Sequence, residues 1–150
     1  MKKVLLIFYC FTSILIFSQD TLPPPPMAMP NSQQEKLIDE LISVSHYKEA
    51  LINYSRVYFW GEQYKGGKRR YENTHIDQVL KNFDFERFKK GTIYNSFSFI
   101  SEKKLKNLIE FYKDNEGKIN AENDMILITA SVSHNLQSQL NSEMNEILKN

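Results

Sequence analysis

Beyond Pro30 the chain has no proline, and its single cysteine, Cys10, lies in an apolar run near the N-terminus. The missing proline leaves the backbone free to form helix ladders over the remaining ~120 residues. The missing cysteines exclude thiol nucleophiles, zinc–thiolate centres, iron–sulfur clusters and disulfides from that part of the chain. A charge surplus of one sign is also missing. The whole chain carries a formal +1, and without Lys2 and Lys3 the 19 basic residues become 17 against 18 acidic ones. No broad basic field is available to attract nucleic acid. Glycine is scarce as well: Gly61, Gly66, Gly67, Gly91 and Gly117 each fall where an apolar period breaks, as punctuation between helices does.

The first residues read MKKVLLIFYCFTSILIFSQD. Two lysines, an apolar run from Val4 to Phe17 and a small residue at Ser18 have the layout of a secretory signal peptide, residues 1–18. The expectation is export, to the periplasm or outside the cell, with cleavage near Ser18. The run is shorter than the ~20 residues that span a bilayer, so the processed chain is not expected to be transmembrane. Phe8 and Tyr9 stand where a lipid-anchoring cysteine needs small residues. Residues 19–31 hold every proline, Pro23 to Pro26 and Pro30, and read as a stiff extended leader.

Residues 32–150 then predict an all-α fold, a single helical bundle of about five to six helices. Ser32 and Glu35 have capping-box spacing ahead of Leu37, Ile38, Leu41 and Ile42. A second helix is predicted from His46 to Trp60, with Tyr47, Ala50, Leu51, Tyr54 and Tyr58 on its stripe and Gly61 as its stop. A third opens at Thr74 with Asp77 at capping-box spacing, and a kink precedes Phe85 and Phe88. Gly91–Ile100 fits a strand or a helix; with no partner strand in the chain, helix is the expectation. Ser101 caps a helix whose face is Leu105, Leu108, Ile109 and Tyr112, widened by Phe111. A long C-terminal helix is predicted from Ala121 to Leu148, with Met125, Ile128, Val132, Leu136, Leu140, Met144 and Ile147 on one side.

The stretch SEKKLKNLIEFYKDNEGK, Ser101 to Lys118, resembles the signature of a bacterial family of exported helical domains, the domain of unknown function twenty fifty-nine. Ser101, Leu105, Phe111, Tyr112, Gly117 and Lys118 carry the likeness. Asp114-Asn115 replaces the Ser-Pro of the family pattern. The resemblance implies an all-helical envelope domain and a mainly structural role for those six residues. It implies no activity.

Catalytic motifs are absent from the sequence: there is no Gly-x-Ser-x-Gly, P-loop or dinucleotide fingerprint. His46, His75 and His134 fall on separate predicted helices without ligand spacing, and the turn YKDNEGKINAEN lacks the first and twelfth ligands of a calcium loop. The expectation is a non-enzymatic chain with no cofactor and no metal. The sharpest local feature is the basic loop Lys65 to Arg70, following the bulky run Val57 to Trp60. Candidate binding residues are Trp60, Tyr64, Lys65, Lys68, Arg69 and Arg70. Such a surface suits an envelope protein, self-association or an anionic lipid. The plainer reading is a solvated loop whose field Glu62 and Glu72 dilute. Two alternatives stay open. One is a carrier of a lipid or small apolar ligand lined by Phe83, Phe85, Phe88, Phe97 and Phe99. The other is a hydrolase built on one of the histidines.

Overall fold

The structure, a computed structural model, describes residues 28–64, 69–115 and 127–149. The signal peptide, most of the leader, Lys65, Lys68, Gly117, Lys118 and Met125 therefore lie outside the described residues. Among those described the fold is all-helical, with no strand and with six helical stretches. They are α1 (Ser32–Val44), α2 (Tyr47–Gln63), α3 (Asn73–Asn82), a composite stretch, α6 (Glu102–Asp114) and α7 (Ala130–Ile147). The composite runs without a break through α4 (Phe85–Phe88), a π-turn (Lys89–Ile93) and α5 (Tyr94–Phe97). Gly91–Ile100 is thus no strand, and Gly91 sits inside the π-turn rather than between helices.

The helix starts differ from the spacing rules in instructive ways. Asn31, not Ser32, caps α1: its Oδ1 accepts from the backbone N–H groups of Gln33 (2.9 Å) and Gln34 (2.8 Å), and Gln34 Oε1 accepts in return from the Asn31 N–H (3.2 Å). Gln34 also donates to the Ser98 carbonyl at 3.0 Å, so one side chain completes the cap and ties α1 to the end of α5. Upstream, the Ala28 carbonyl accepts from Asn95 Nδ2 (3.0 Å) and Ser98 Oγ (3.2 Å), which attaches the last leader residues to the bundle. Helix α3 opens at Asn73 with Glu72 as its N-cap, one residue ahead of the expected Thr74, and the Glu72 N–H donates to His75 Nδ1 (3.3 Å) in a capping box. Asp77 is spent instead on Arg56, 2.6 Å away on α2.

Gly61 does not stop α2, which continues to Gln63. Gln63 is buried, and its amide donates to the Tyr71 carbonyl at 2.7 Å, while its own carbonyl accepts from the Arg70 N–H at 3.2 Å. These contacts hold the last turn of α2 against the returning chain. The predicted long helix is also too long. Leu127 to Thr129 are not helical; Thr129 Oγ1 caps α7 by accepting from the Val132 N–H at 3.2 Å. The Leu127 carbonyl accepts from the buried Tyr47 hydroxyl at 2.6 Å. In a continuous helix that carbonyl would be committed to its own ladder.

The core forms where α1 packs on α6, and α7 on α3, the π-turn and α2. Ile38, Leu51, Phe59, Val79, Ile93, Phe97, Leu105, Val132 and Leu136 are all fully shielded within it. Phe97 meets Tyr47 edge-on at 5.7 Å between ring centroids, a favoured aromatic geometry. Ser101 caps α6 at 3.4 Å, and Leu105, Ile109 and Tyr112 are its buried face, as the periodicity predicts. Phe111 is not part of that face: it is 43% exposed and leans on the Tyr112 ring.

Between α1 and α2 the chain turns at His46, the single non-glycine residue with positive φ among those described (φ 48, ψ 44). The left-handed conformation costs an ordinary L-residue about 1 kcal/mol that glycine does not incur. His46→Gly is therefore expected to raise the unfolding free energy by roughly 1 kcal/mol, partly offset by the freer unfolded chain. An unchanged or lower urea midpoint would show that the His46 side chain stabilises the joint in another way.

Candidate functional site

Helix α2 buries Tyr47, Ala50, Leu51, Ser55, Phe59 and Gln63. The buried stripe is rotated from the expected one, with Phe59 inside and Tyr58 at the edge. Tyr54 and Tyr58 line a seam with α7 instead. The Tyr54 hydroxyl is 2.8 Å from Ser133 Oγ and accepts from Gln137 Nε2 at 3.1 Å; the Tyr58 hydroxyl accepts from Asn141 Nδ2 at 2.7 Å. These bonds fix the rotation of α2 about its axis.

That rotation sets what α2 presents outward. Val57, Trp60 and Tyr64 follow one another at three and four residues and are 57%, 49% and 66% exposed. The expected site residues Trp60 and Tyr64 are thus brought together, and the structure adds Val57, Gly61 and Asn53, which share their face. Asn53 and Gly61 are exposed too. A Cβ added to Gly61 would meet nothing within 4 Å, so the backbone is bare at the centre of the strip. A glycine inside a helix costs roughly 0.5–1 kcal/mol against alanine, and nothing inside the monomer requires one here. The side chains of Asn53, Trp60 and Tyr64 make no hydrogen bond to any other described residue. The charge nearest this strip between Asn53 and Tyr64 is Arg56, four residues before Trp60, and it is paired with Asp77 at 2.6 Å.

The basic residues behave otherwise. Arg69 Nη1 lies 2.9 Å from Glu72 Oε2, and Arg70 Nη1 is 3.7 Å from Glu62 Oε2. Both guanidinium groups have carboxylate partners, which weakens them as anchors for an outside anion. The plainer reading fits these two arginines; Lys65 and Lys68 lie outside the described residues.

A second cluster surrounds the π-turn. The Tyr94 hydroxyl donates to Asp39 at 2.8 Å, and Lys89 Nζ lies 3.3 Å from Asp39 and 3.1 Å from Glu86. Burial first, and then the bond to the Asp39 carboxylate, push Tyr94 up to about 12. Burial alone would lower Lys89, but its bond to Glu86 and the charge of Asp39 outweigh this and raise it. A tyrosine held protonated and a lysine held charged are poor nucleophiles and bases. The cluster ties α1 to the π-turn and α5.

The three histidines sit on different elements. His46 forms the α1–α2 joint, His75 completes the α3 cap, and His134 lies on the outer face of α7 beside Gln137, Ser138, Asn141, Ser142 and Asn145. No group of three or more His, Cys, Asp or Glu residues among those described is placed to hold a metal ion. No described helix is long and apolar enough to cross a membrane. Four of the phenylalanines named for a ligand cavity are spent on packing, Phe83 with Phe85 and Phe88 at 6.5 and 5.5 Å between ring centroids and Phe97 edge-on to Tyr47, while Phe99 is exposed. Comparison with protein-family models, curated proteins and solved structures finds no match.

The sequence names the α2 aromatics as a surplus but not as a strip. The phase set by Tyr47, Ala50 and Leu51 does not separate them, because Val57 lies seven residues after the buried Ala50; the bonds of Tyr54 and Tyr58 to α7 do.

Proposed function

We propose that this chain is an exported, non-enzymatic helical module that binds a protein partner in the cell envelope through the outer face of α2. The observation that carries the reading is Trp60, half-exposed between Val57 and Tyr64, in a protein whose other large rings on α2 are packed or hydrogen-bonded. Tryptophan and tyrosine at the centre of a surface dominate protein association because they bury large rigid areas at little entropic cost. The paired Arg69 and Arg70 fit a polar rim better than a charged anchor. The signal-peptide layout supports the envelope as the place. The likeness of Ser101 to Lys118 to the domain of unknown function twenty fifty-nine is part of the same proposal and adds no activity to it.

The test is photo-crosslinking in cells that express the full chain with its own N-terminus, the crosslinker replacing Tyr64. A discrete protein adduct in the envelope fraction is expected, and adding Trp60→Ala should reduce it at least tenfold while the urea midpoint changes little. An adduct indifferent to Trp60, or a chain confined to the cytosolic fraction, would overturn the proposal.

A further inference from the structure

We infer that the outer face of α7 is a separate binding site, one that takes a neutral oligosaccharide. The inference goes beyond the α2 reading and does not depend on it. From Ala130 to Ser142 the helix has no Asp, Glu, Lys or Arg, in a chain that is 25% charged. The solvent face of a helix ordinarily carries charged residues. Here the exposed side chains after Ala130 are amides, hydroxyls and one imidazole. His134, Gln137, Ser138, Asn141, Ser142 and Asn145 line an open groove of about 500 Å³. From His134 to Asn145 the groove follows ~16 Å of helix, a length that suits a short chain of sugar rings rather than a single one.

The seam with α2 sets the polar groups in advance. Gln137 Nε2 donates to the Tyr54 hydroxyl (3.1 Å) and to Ser133 Oγ (3.3 Å), and Asn141 Nδ2 donates to the Tyr58 hydroxyl (2.7 Å). Both amide nitrogens are thus turned to the seam. Their oxygens, Gln137 Oε1 and Asn141 Oδ1, accept from no described residue and are left to the groove, one helical turn apart. The Tyr58 hydroxyl accepts from Asn141, and its own proton meets no acceptor among the described residues. The Ser138 and Ser142 hydroxyls, which donate or accept, complete the set. That set selects by chemistry. Fixed amide oxygens repel an anion, and no Lys or Arg lines the groove to hold one. A cation finds no carboxylate among the lining side chains. An apolar ligand would cover the oxygens without giving them a donor. A peptide would bring its own carbonyl oxygens against them. A sugar ring brings several hydroxyls, each able to donate to a fixed oxygen and accept a proton from a neighbour, and no charge to desolvate. The groove is open to water, so the affinity is modest, with a Kd on the order of 1 mM.

Nitrogen–proton NMR on the full chain, purified as the cell processes it, tests this with maltotetraose, cellotetraose and N-acetylated chitotetraose, each added to ~20 mM, well above that Kd. The side-chain amide signals of Gln137, Asn141 and Asn145 should shift and saturate with at least one of the three. Ser138→Lys sets a long charged side chain across the groove from an exposed position and should raise the Kd at least ~10-fold. Its urea midpoint should equal or exceed that of the parent, because lysine is the better helix former. Gln139→Lys, exposed on the same helix but outside the groove, adds the same charge and should leave the Kd unchanged. The absence of a saturable shift with all three sugars overturns the inference. So does an affinity that Ser138→Lys and Gln139→Lys change equally. Tighter binding of tetragalacturonate than of the neutral probes would overturn the assignment of a neutral ligand.

Discussion

Phe59→Ala is expected to lower the unfolding free energy by about 4 kcal/mol, the largest effect of any single truncation on α2. The side chain is fully buried, and its ring meets Tyr71 edge-on at 5.7 Å and Tyr58 at 5.5 Å. Tyr71 belongs to the segment returning from α2 to α3, and its carbonyl is bonded to the buried Gln63 amide. Truncation leaves a cavity that rings fixed by these bonds cannot collapse into, so the cost should lie at the upper end of the aromatic range. The neighbouring Trp60→Ala removes a side chain that is half in water and should cost under ~1 kcal/mol. Urea unfolding of the two variants side by side gives the check. Similar losses would mean that Trp60 is held by the monomer, and the outer face of α2 would lose its standing as a binding surface.

That pair also shows where the sequence was legible and where it was not. Phe59 and Trp60 are equally bulky neighbours, and a 3.6-residue period cannot say which lies inside when Val57, Tyr58, Phe59 and Trp60 run together. The choice is made by the Tyr54 and Tyr58 hydroxyls bonding to α7 and by Tyr71 closing over Phe59, all partners distant in sequence. Helices α1 and α6 were readable because their apolar residues recur cleanly and polar ones fill the gaps. The end of α2 was misread because Gly61 obeys a local rule that the Gln63–Tyr71 bond overrides. The start of α7 was misread because the apolar repeat runs on through Ile128 while Thr129 and the Tyr47–Leu127 bond interrupt the backbone. Sequence proximity alone sets Glu62 and Glu72 against the basic loop, whereas the pairing of Arg69 with Glu72 and of Arg70 with Glu62 depends on chain geometry. Periodicity reports which residues want burial; it does not report which backbone carbonyl a distant hydroxyl will claim.

Those hydroxyls give the fold an alkaline limit. Burial raises Tyr47, with the nearby Tyr112 adding to it, and raises Tyr112 and Tyr71 as well; Tyr94 is pushed up to about 12 by burial and by Asp39. In the unfolded chain each tyrosine ionises near pH 10. Above that pH the unfolded state releases phenolic protons that the folded state still holds. Stability is then fully present below pH 10 and falls as pH rises toward the folded values, by about 1.4 kcal/mol per pH unit for each such tyrosine. Lys89 acts in the same direction, because its raised value means that the folded state keeps a proton the unfolded state loses. Urea unfolding at pH 8, 9.5, 10.5 and 11.5 should therefore be level at first and then steepen toward ~3 kcal/mol lost per pH unit, chiefly through Tyr47 and Tyr94. Tyr94→Phe tests the assignment. At pH 8 it should cost about 1 kcal/mol, for the Asp39 carboxylate loses a donor, and above pH 10.5 its slope should be shallower by about 1.4 kcal/mol per unit. A parental curve that stays level to pH 11.5 would mean that these hydroxyls reach water in the folded state, and the part-buried bonds of Tyr47 to Leu127 and Tyr94 to Asp39 would not survive that result.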